Sequence, residues 1–102
     1  EGLGYNKNYP LPLGIENGEY IRTLRMAIKD VEKFSPKFLI ISLGFDTYEK
    51  DPIGGFRLTI PIYRTIAKDI SSLKLPTLII QEGGYAVNAL GKIAYEFLQG
   101  IS

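Results

Sequence analysis

The sequence predicts an α/β layer in which two short parallel strands are joined by a helical crossover and flanked by helices. Three observations carry that expectation. Two apolar runs, Phe38-Leu39-Ile40-Ile41 with Leu43 and Thr77-Leu78-Ile79-Ile80, are nearly unbroken, as in strands covered on both faces. Each run is introduced by a proline, Pro36 or Pro76, and each breaks off in a glycine-bearing loop. Around and between them apolar residues recur at spacings of three and four, the period of a helix with one buried face. Strand, helix and strand in succession are almost always parallel and right-handed.

Taken in order, residues 1–16 read as an extended loop, punctuated by the glycines and prolines of GLG and LPLG. Asn17 is the expected N-cap of a first helix, because its side chain can accept from the free amides of the first turn. Tyr20, Ile21, Leu24, Ala27, Ile28, Val31 and Phe34 form its apolar stripe, Arg22, Arg25, Lys29, Asp30 and Lys33 take the other face, and Ser35-Pro36 stops it. The first strand follows, then a loop rich in Gly, Asp and Pro. Thr59 is the expected cap of the second helix, with Pro61 harmless in a first turn whose amides lack intrahelical partners. Ile62, Tyr63, Ile66, Ala67, Ile70 and Leu73 supply its stripe, and the second strand ends at Gln81-Glu82-Gly83-Gly84-Tyr85. A last helix from about Asn88 carries Leu90, Ile93, Ala94, Phe97 and Leu98, with Gly100 as its expected C-terminal cap. Residues 17–102 are thus α-β-α-β-α within one domain. Two strands leave unpaired edges beside very apolar side chains, so further strands are expected from elsewhere, and these residues by themselves are expected to self-associate.

Composition narrows the function classes. The 102 residues hold 12 basic and 11 acidic side chains, a net charge of +1 with both signs interspersed, which gives no basis for a nucleic-acid partner or an anionic membrane. No run of 18 apolar residues occurs and the opening EGLGYNKNYP lacks the regions of a signal peptide, so the expectation is a cytoplasmic chain. Cysteine and histidine are both absent, which removes thiolate nucleophiles, disulfides and the commonest general base and metal ligand. The chain opens at Glu1 inside a Gly-rich loop, without an initiator Met, which points to a piece of a longer polypeptide.

In open parallel sheets ligands bind beyond the carboxyl ends of the strands. Both unusual loops, LGFDTYEKDPIGG and QEGGY, belong to that edge, so Asp46 and Tyr85 are expected to project into one crevice. Asp46 has no basic neighbour before Lys50, and Gly83 and Gly84 would let backbone approach a ligand closely. Each residue also has an ordinary reading. An aspartate after a strand often bonds loop amides, a lone tyrosine often rests its ring on the core edge, and Asp51-Pro52 and Gly54-Gly55 read as turn punctuation. Tyr20, Tyr63 and Tyr95 lie on helices and are assigned to packing.

The pattern as a whole is more specific than its parts. NYPLPLG, the helix opening at Asn17 to Tyr20, SLGFDTYEKDPIGG, Leu58-Thr59 and LPTLIIQEGGY with its closing helix resemble, in order and spacing, the histone deacetylase and acetylpolyamine amidohydrolase family. The likeness runs from Gly2 to Ile101, and the GFD and EGGY forms look closer to the acetylpolyamine and class II branches. It implies zinc-dependent hydrolysis of an acetylated amine, acetyl-lysine or acetylpolyamine, on an arginase-like three-layer fold with a mostly parallel sheet. By the same resemblance Asp46 is a zinc ligand and Tyr85 the donor to the substrate carbonyl and its developing oxyanion. Pro52, Ile53, Gly83 and Gly84 would line the narrow substrate channel, and Tyr5 would lie near a structural monovalent cation.

The family also requires an Asp-x-His segment for two further zinc ligands and a histidine pair for proton transfer, and these precede the region matched here. A chain without histidine cannot supply them. The expectation is therefore the C-terminal portion of such an enzyme, which alone binds no cofactor tightly and hydrolyses nothing. A free-standing structural or assembly fragment is the alternative, favoured if the coding region starts near Glu1. A flavodoxin-like or nucleotide-binding layer fits the element order but lacks a phosphate-binding fingerprint.

Overall fold

Five elements follow one another in the computed structural model, which describes residues 6–101. They are α1 (Asn17–Phe34), β1 (Leu39–Leu43), α2 (Ile62–Ser71), β2 (Thr77–Gln81) and α3 (Leu90–Ile101). The strands pair in parallel from Leu39 with Thr77 to Leu43 with Gln81. Their order and orientation follow from the crossover through α2, as the sequence predicts.

Successive side chains of a strand face opposite sides of the sheet. Leu43 and Ile79 pack into a core built with Ile21 of α1, Tyr63, Ile66 and Ala67 of α2, and Ile93 and Phe97 of α3. On the other face Ile40, Leu78 and Ile80 are 56%, 57% and 46% exposed. The two runs read as covered on both faces are therefore covered on one within these residues, because all three helices contribute to the same core. Phe34 departs from expectation in the same way. It is exposed at the end of α1, where Ala27, Val31, Phe34 and Leu39 line an open groove.

The ends of the helices correct three expectations. Asn17 does not cap α1, whose N-cap is Glu16 without a side-chain bond, and Thr59 does not cap α2, whose N-cap is Pro61. Instead the two polar residues bond each other. The Thr59 N–H donates to Asn17 Oδ1 at 3.1 Å, and Asn17 Nδ2 donates to Thr59 Oγ1 at 2.8 Å. Asn17 is itself the first residue of α1 and Thr59 lies three positions before α2, so the hydrogen bonds join the start of α1 to the approach to α2. Gly100 is likewise not a cap, since α3 continues through it to Ile101. It is buried, and a Cβ there would run into the Arg64 carbonyl and lie 2.7 Å from the Ala67 Cβ. The missing side chain is what lets α3 close on α2. By contrast α1 ends as expected: Ser35 adopts the left-handed conformation and its N–H reaches the Val31 and Glu32 carbonyls, both at 3.1 Å.

Among the described residues no helix is long and apolar enough to cross a membrane. The α2–α3 contact yields a prediction for stability. Gly100→Ala forces the helices apart and destabilises the fold by about 1–3 kcal/mol despite the better helix propensity of alanine. Urea denaturation of the two forms measures the difference.

Candidate functional site

The parallel pairing continues beyond the strands and brings their carboxyl-end loops together. The Glu82 N–H donates to the Leu43 carbonyl at 2.8 Å, and the Phe45 N–H donates to the Gly83 carbonyl at 2.9 Å. Asp46 therefore follows a residue already hydrogen-bonded to the second loop. Its flanks are fixed in the core. Phe45 is buried and packs edge-to-face on Tyr63 at 5.6 Å and Phe97 at 6.4 Å, while Thr47 Oγ1 shares a 2.6 Å hydrogen bond with the Tyr63 hydroxyl. Tyr48 is buried as well, and the Leu58 N–H returns to the Thr47 carbonyl.

The Asp46 carboxylate sits between glycines of both loops. A Cβ on Gly44 would lie 2.9 Å from Oδ1, and a Cβ on Gly83 would lie 2.7 Å from Oδ2. Either side chain would displace the carboxylate, so Gly44 and Gly83 are needed for the space they leave. Gly54 is as tightly placed, because a Cβ there would collide with the Asp46 carbonyl. Among the described residues no hydrogen bond or ion pair engages the Asp46 carboxylate. Its charge is felt by two phenols. Burial, and then the Asp46 charge, push the Tyr20 phenol up; burial foremost pushes Tyr63 far above the ordinary tyrosine value, against the bond from Thr47. Both hydroxyls stay protonated at neutral pH.

An anionic side chain without a cationic partner, in a space kept clear by two glycines, suits a ligand to a cation. The described residues hold no group of three or more His, Cys, Asp or Glu that could bind a metal ion. A metal site that included Asp46 would need donors from outside the described residues.

Asp51, read from the sequence as turn punctuation, is the buried carboxylate of the site at 7% exposure. Its Oδ1 accepts the Ile53 and Gly54 N–H groups, each at 2.9 Å, and its Oδ2 accepts the Tyr85 N–H at 2.7 Å. One side chain shapes the first loop and holds the second. Burial opposes ionisation of Asp51, but the amides of Gly54, Tyr85, Ile53 and Ala86 outweigh it and hold the carboxyl below the usual aspartate value.

The remaining predicted positions fall around this cleft. Pro52 is exposed, Ile53 is 69% exposed, and both stand beside Asp51 at the mouth. Gly84 has φ +137°, and a Cβ there would lie 2.9 Å from Leu90 Cδ2 and 3.2 Å from Phe45 Cβ. Tyr85 is half exposed and is held through its backbone. Tyr5 lies outside the described residues. Phe45, Tyr48 and Asp51 were the positions that sequence reasoning left out of the site. Their signal was the density of aromatic and acidic residues in GFDTYEKD, which only burial could sort.

A parallel sheet edge with a lone carboxylate and a tyrosine on adjoining loops has counterparts among known proteins. A sequence profile of the histone deacetylase domain matches residues 1–101, and the chain belongs to the histone deacetylase family. It is 43% identical over 99 residues to acetylpolyamine amidohydrolase 2 of Pseudomonas aeruginosa, covering 97% of this chain and 29% of that protein. Histone deacetylase 8 of Arabidopsis thaliana is 32% identical over 108 residues, covering 98% of this chain and 28% of that protein. The crystal structure of acetylpolyamine aminohydrolase from Burkholderia pseudomallei superposes with a TM-score of 0.94 at 37% identity, over 98% of this chain and 29% of that one. The fold is accordingly the α/β fold of the deacetylases and acetylpolyamine aminohydrolases, of which this chain spans less than a third of the length.

The Asp51 cluster gives a pH prediction. Its folded pKa is depressed, so its contribution to stability is complete above the unfolded aspartate value of about 3.9 and is lost as pH falls through the lower folded value. Urea midpoints followed from about pH 6 to about pH 2 fall more steeply for the native chain than for Asp51→Asn. The two curves draw together at the acid end.

Proposed function

We propose that these residues form the C-terminal part of the catalytic domain of a zinc-dependent amidohydrolase that removes acetyl groups from acetylated amines. The observation that carries this reading is the unpaired Asp46 carboxylate, seated between Gly44 and Gly83 of the two adjoining loops, the second of which bears Tyr85. The names of the relatives, acetylpolyamine amidohydrolases and histone deacetylases, support the reaction class, and an acetylpolyamine or an acetyl-lysine side chain fits it equally. Asp46 would be one of three protein ligands to the zinc, the others coming from segments outside these residues. When bound, zinc supplies Lewis acidity toward the acyl carbonyl and the attacking water.

The chain's own residues have separable tasks. The Tyr85 phenol donates a hydrogen bond to the carbonyl oxygen and more strongly to the oxyanion that develops from it. Gly83 and Gly84 keep the second loop free of side chains where an acyl group would enter, and Pro52 and Ile53 form part of the channel mouth. These residues alone neither hold zinc tightly nor turn over substrate, because the other ligands and the proton-transferring histidines are not among them.

In the complete protein Tyr85→Phe lowers kcat on an acetylated amine by about 100- to 1,000-fold with little change in KM. Asp46→Asn lowers zinc content measured by atomic absorption. Native turnover by Tyr85→Phe, or native zinc content in Asp46→Asn, overturns the proposal.

A second reading, a free-standing assembly module, draws on the exposed Ile40, Leu78 and Ile80 and on the unpaired outer edges of β1 and β2. On either reading residues 1–102 expressed alone associate through that face with a second copy of themselves. Sedimentation shows concentration-dependent oligomers that a Leu78→Lys substitution reduces; a monomer at all concentrations rules the association out.

A further inference from the structure

We infer that Asp51 is a positioning residue for Tyr85, setting the place of its phenol through the backbone; the inference rests on the role of Tyr85 proposed above. The Tyr85 side chain is half exposed, and among the described residues nothing hydrogen-bonds its hydroxyl. Its placement depends on where its main chain is held. The residue before it, Gly84, sits at φ +137°, in a region that most side chains avoid, so the loop does not keep this course by local preference. What holds Tyr85 itself is the 2.7 Å bond from its N–H to Asp51 Oδ2, shorter than the 2.9 Å bonds that the other oxygen accepts from Ile53 and Gly54. A charged acceptor makes such a bond stronger than one between neutral groups, and burial at 7% exposure keeps water from replacing it.

The other oxygen ties the same carboxylate to Ile53 and Gly54, and Gly54 is packed on the Asp46 carbonyl. Asp51 thereby couples the height of Tyr85 to the loop that carries Asp46. The phenol and the metal-holding carboxylate move as one unit, and the distance between the two groups that act on a single acyl carbonyl is fixed before substrate arrives. A shift of about 1 Å in a group that must meet a transition state is enough to cost about two orders of magnitude in rate.

Asp51→Asn separates this task from shaping the first loop. The amide oxygen can still accept from Ile53 and Gly54, while the amide nitrogen, a donor, faces the Tyr85 N–H. In the complete zinc-loaded protein the expected result is a fall in kcat of about 10- to 100-fold with KM nearly unchanged and zinc content unchanged. The deciding measurement is the double substitution. If Asp51 acts through the Tyr85 phenol, Asp51→Asn costs nothing further once Tyr85→Phe has removed the hydroxyl. An equal loss in both backgrounds, or a loss that tracks zinc content, overturns the inference while leaving the role of Tyr85 standing. Native turnover by Tyr85→Phe instead overturns that role, and the inference with it. If Asp51→Asn does not fold, Asp51→Ser enters the same cycle, since a serine hydroxyl can bond the turn amides without reaching Tyr85.

Discussion

Parallel pairing of β1 with β2 is the constraint on which the rest of this structure depends. It places both carboxyl ends at one edge, and the ladder extends past the strands through the Glu82 to Leu43 and Phe45 to Gly83 hydrogen bonds. The loops that carry residues 39 positions apart, Asp46 and Tyr85, thereby meet at one edge. The crossover helix α2 enforces the orientation, because a short turn cannot connect parallel strands. The core confirms its importance: Tyr63 of α2 touches Phe45 through its ring and Thr47 through its hydroxyl, bracketing Asp46 on both sides.

Two aspartates five positions apart meet opposite fates in this edge. Asp51 is saturated by backbone amides, and its charge is balanced inside the fold. Asp46 is given space rather than partners: Gly44 and Gly83 stand aside from its oxygens, and the nearby phenols of Tyr20 and Tyr63 bring no positive charge. A fold that needed only a turn would have no use for the second arrangement. The difference separates a carboxylate that organises the chain from one that is left to meet something else.

The same division appears at larger scale. One face of the sheet closes over a core of Leu58, Tyr63, Ile93 and Phe97, all with less than 2% exposure, while the other presents Ile40, Leu78 and Ile80 to solvent. The relatives are more than three times as long as the matched segment, and the chain superposes on the Burkholderia pseudomallei enzyme at a TM-score of 0.94. The open face and the unpaired Asp46 carboxylate both belong to a segment that spans about 29% of the length of those relatives.

The sequence by itself determined the elements, their order, the parallel layer and the family, because apolar periodicity, proline boundaries and the GFD and EGGY loops are local signals. It also singled out Asp46 and Tyr85 as candidates, though not how their loops are held. Tertiary structure alone decided the uses of Asn17, Thr59 and Gly100, which local rules read as caps and which the fold turns into contacts between elements. It likewise decided that Asp51, indistinguishable in sequence from any turn aspartate, joins two loops. The reason is physical: a side chain's hydrogen bonds and a glycine's missing Cβ take their meaning from whatever the fold brings within about 3 Å, and that neighbour is remote in sequence.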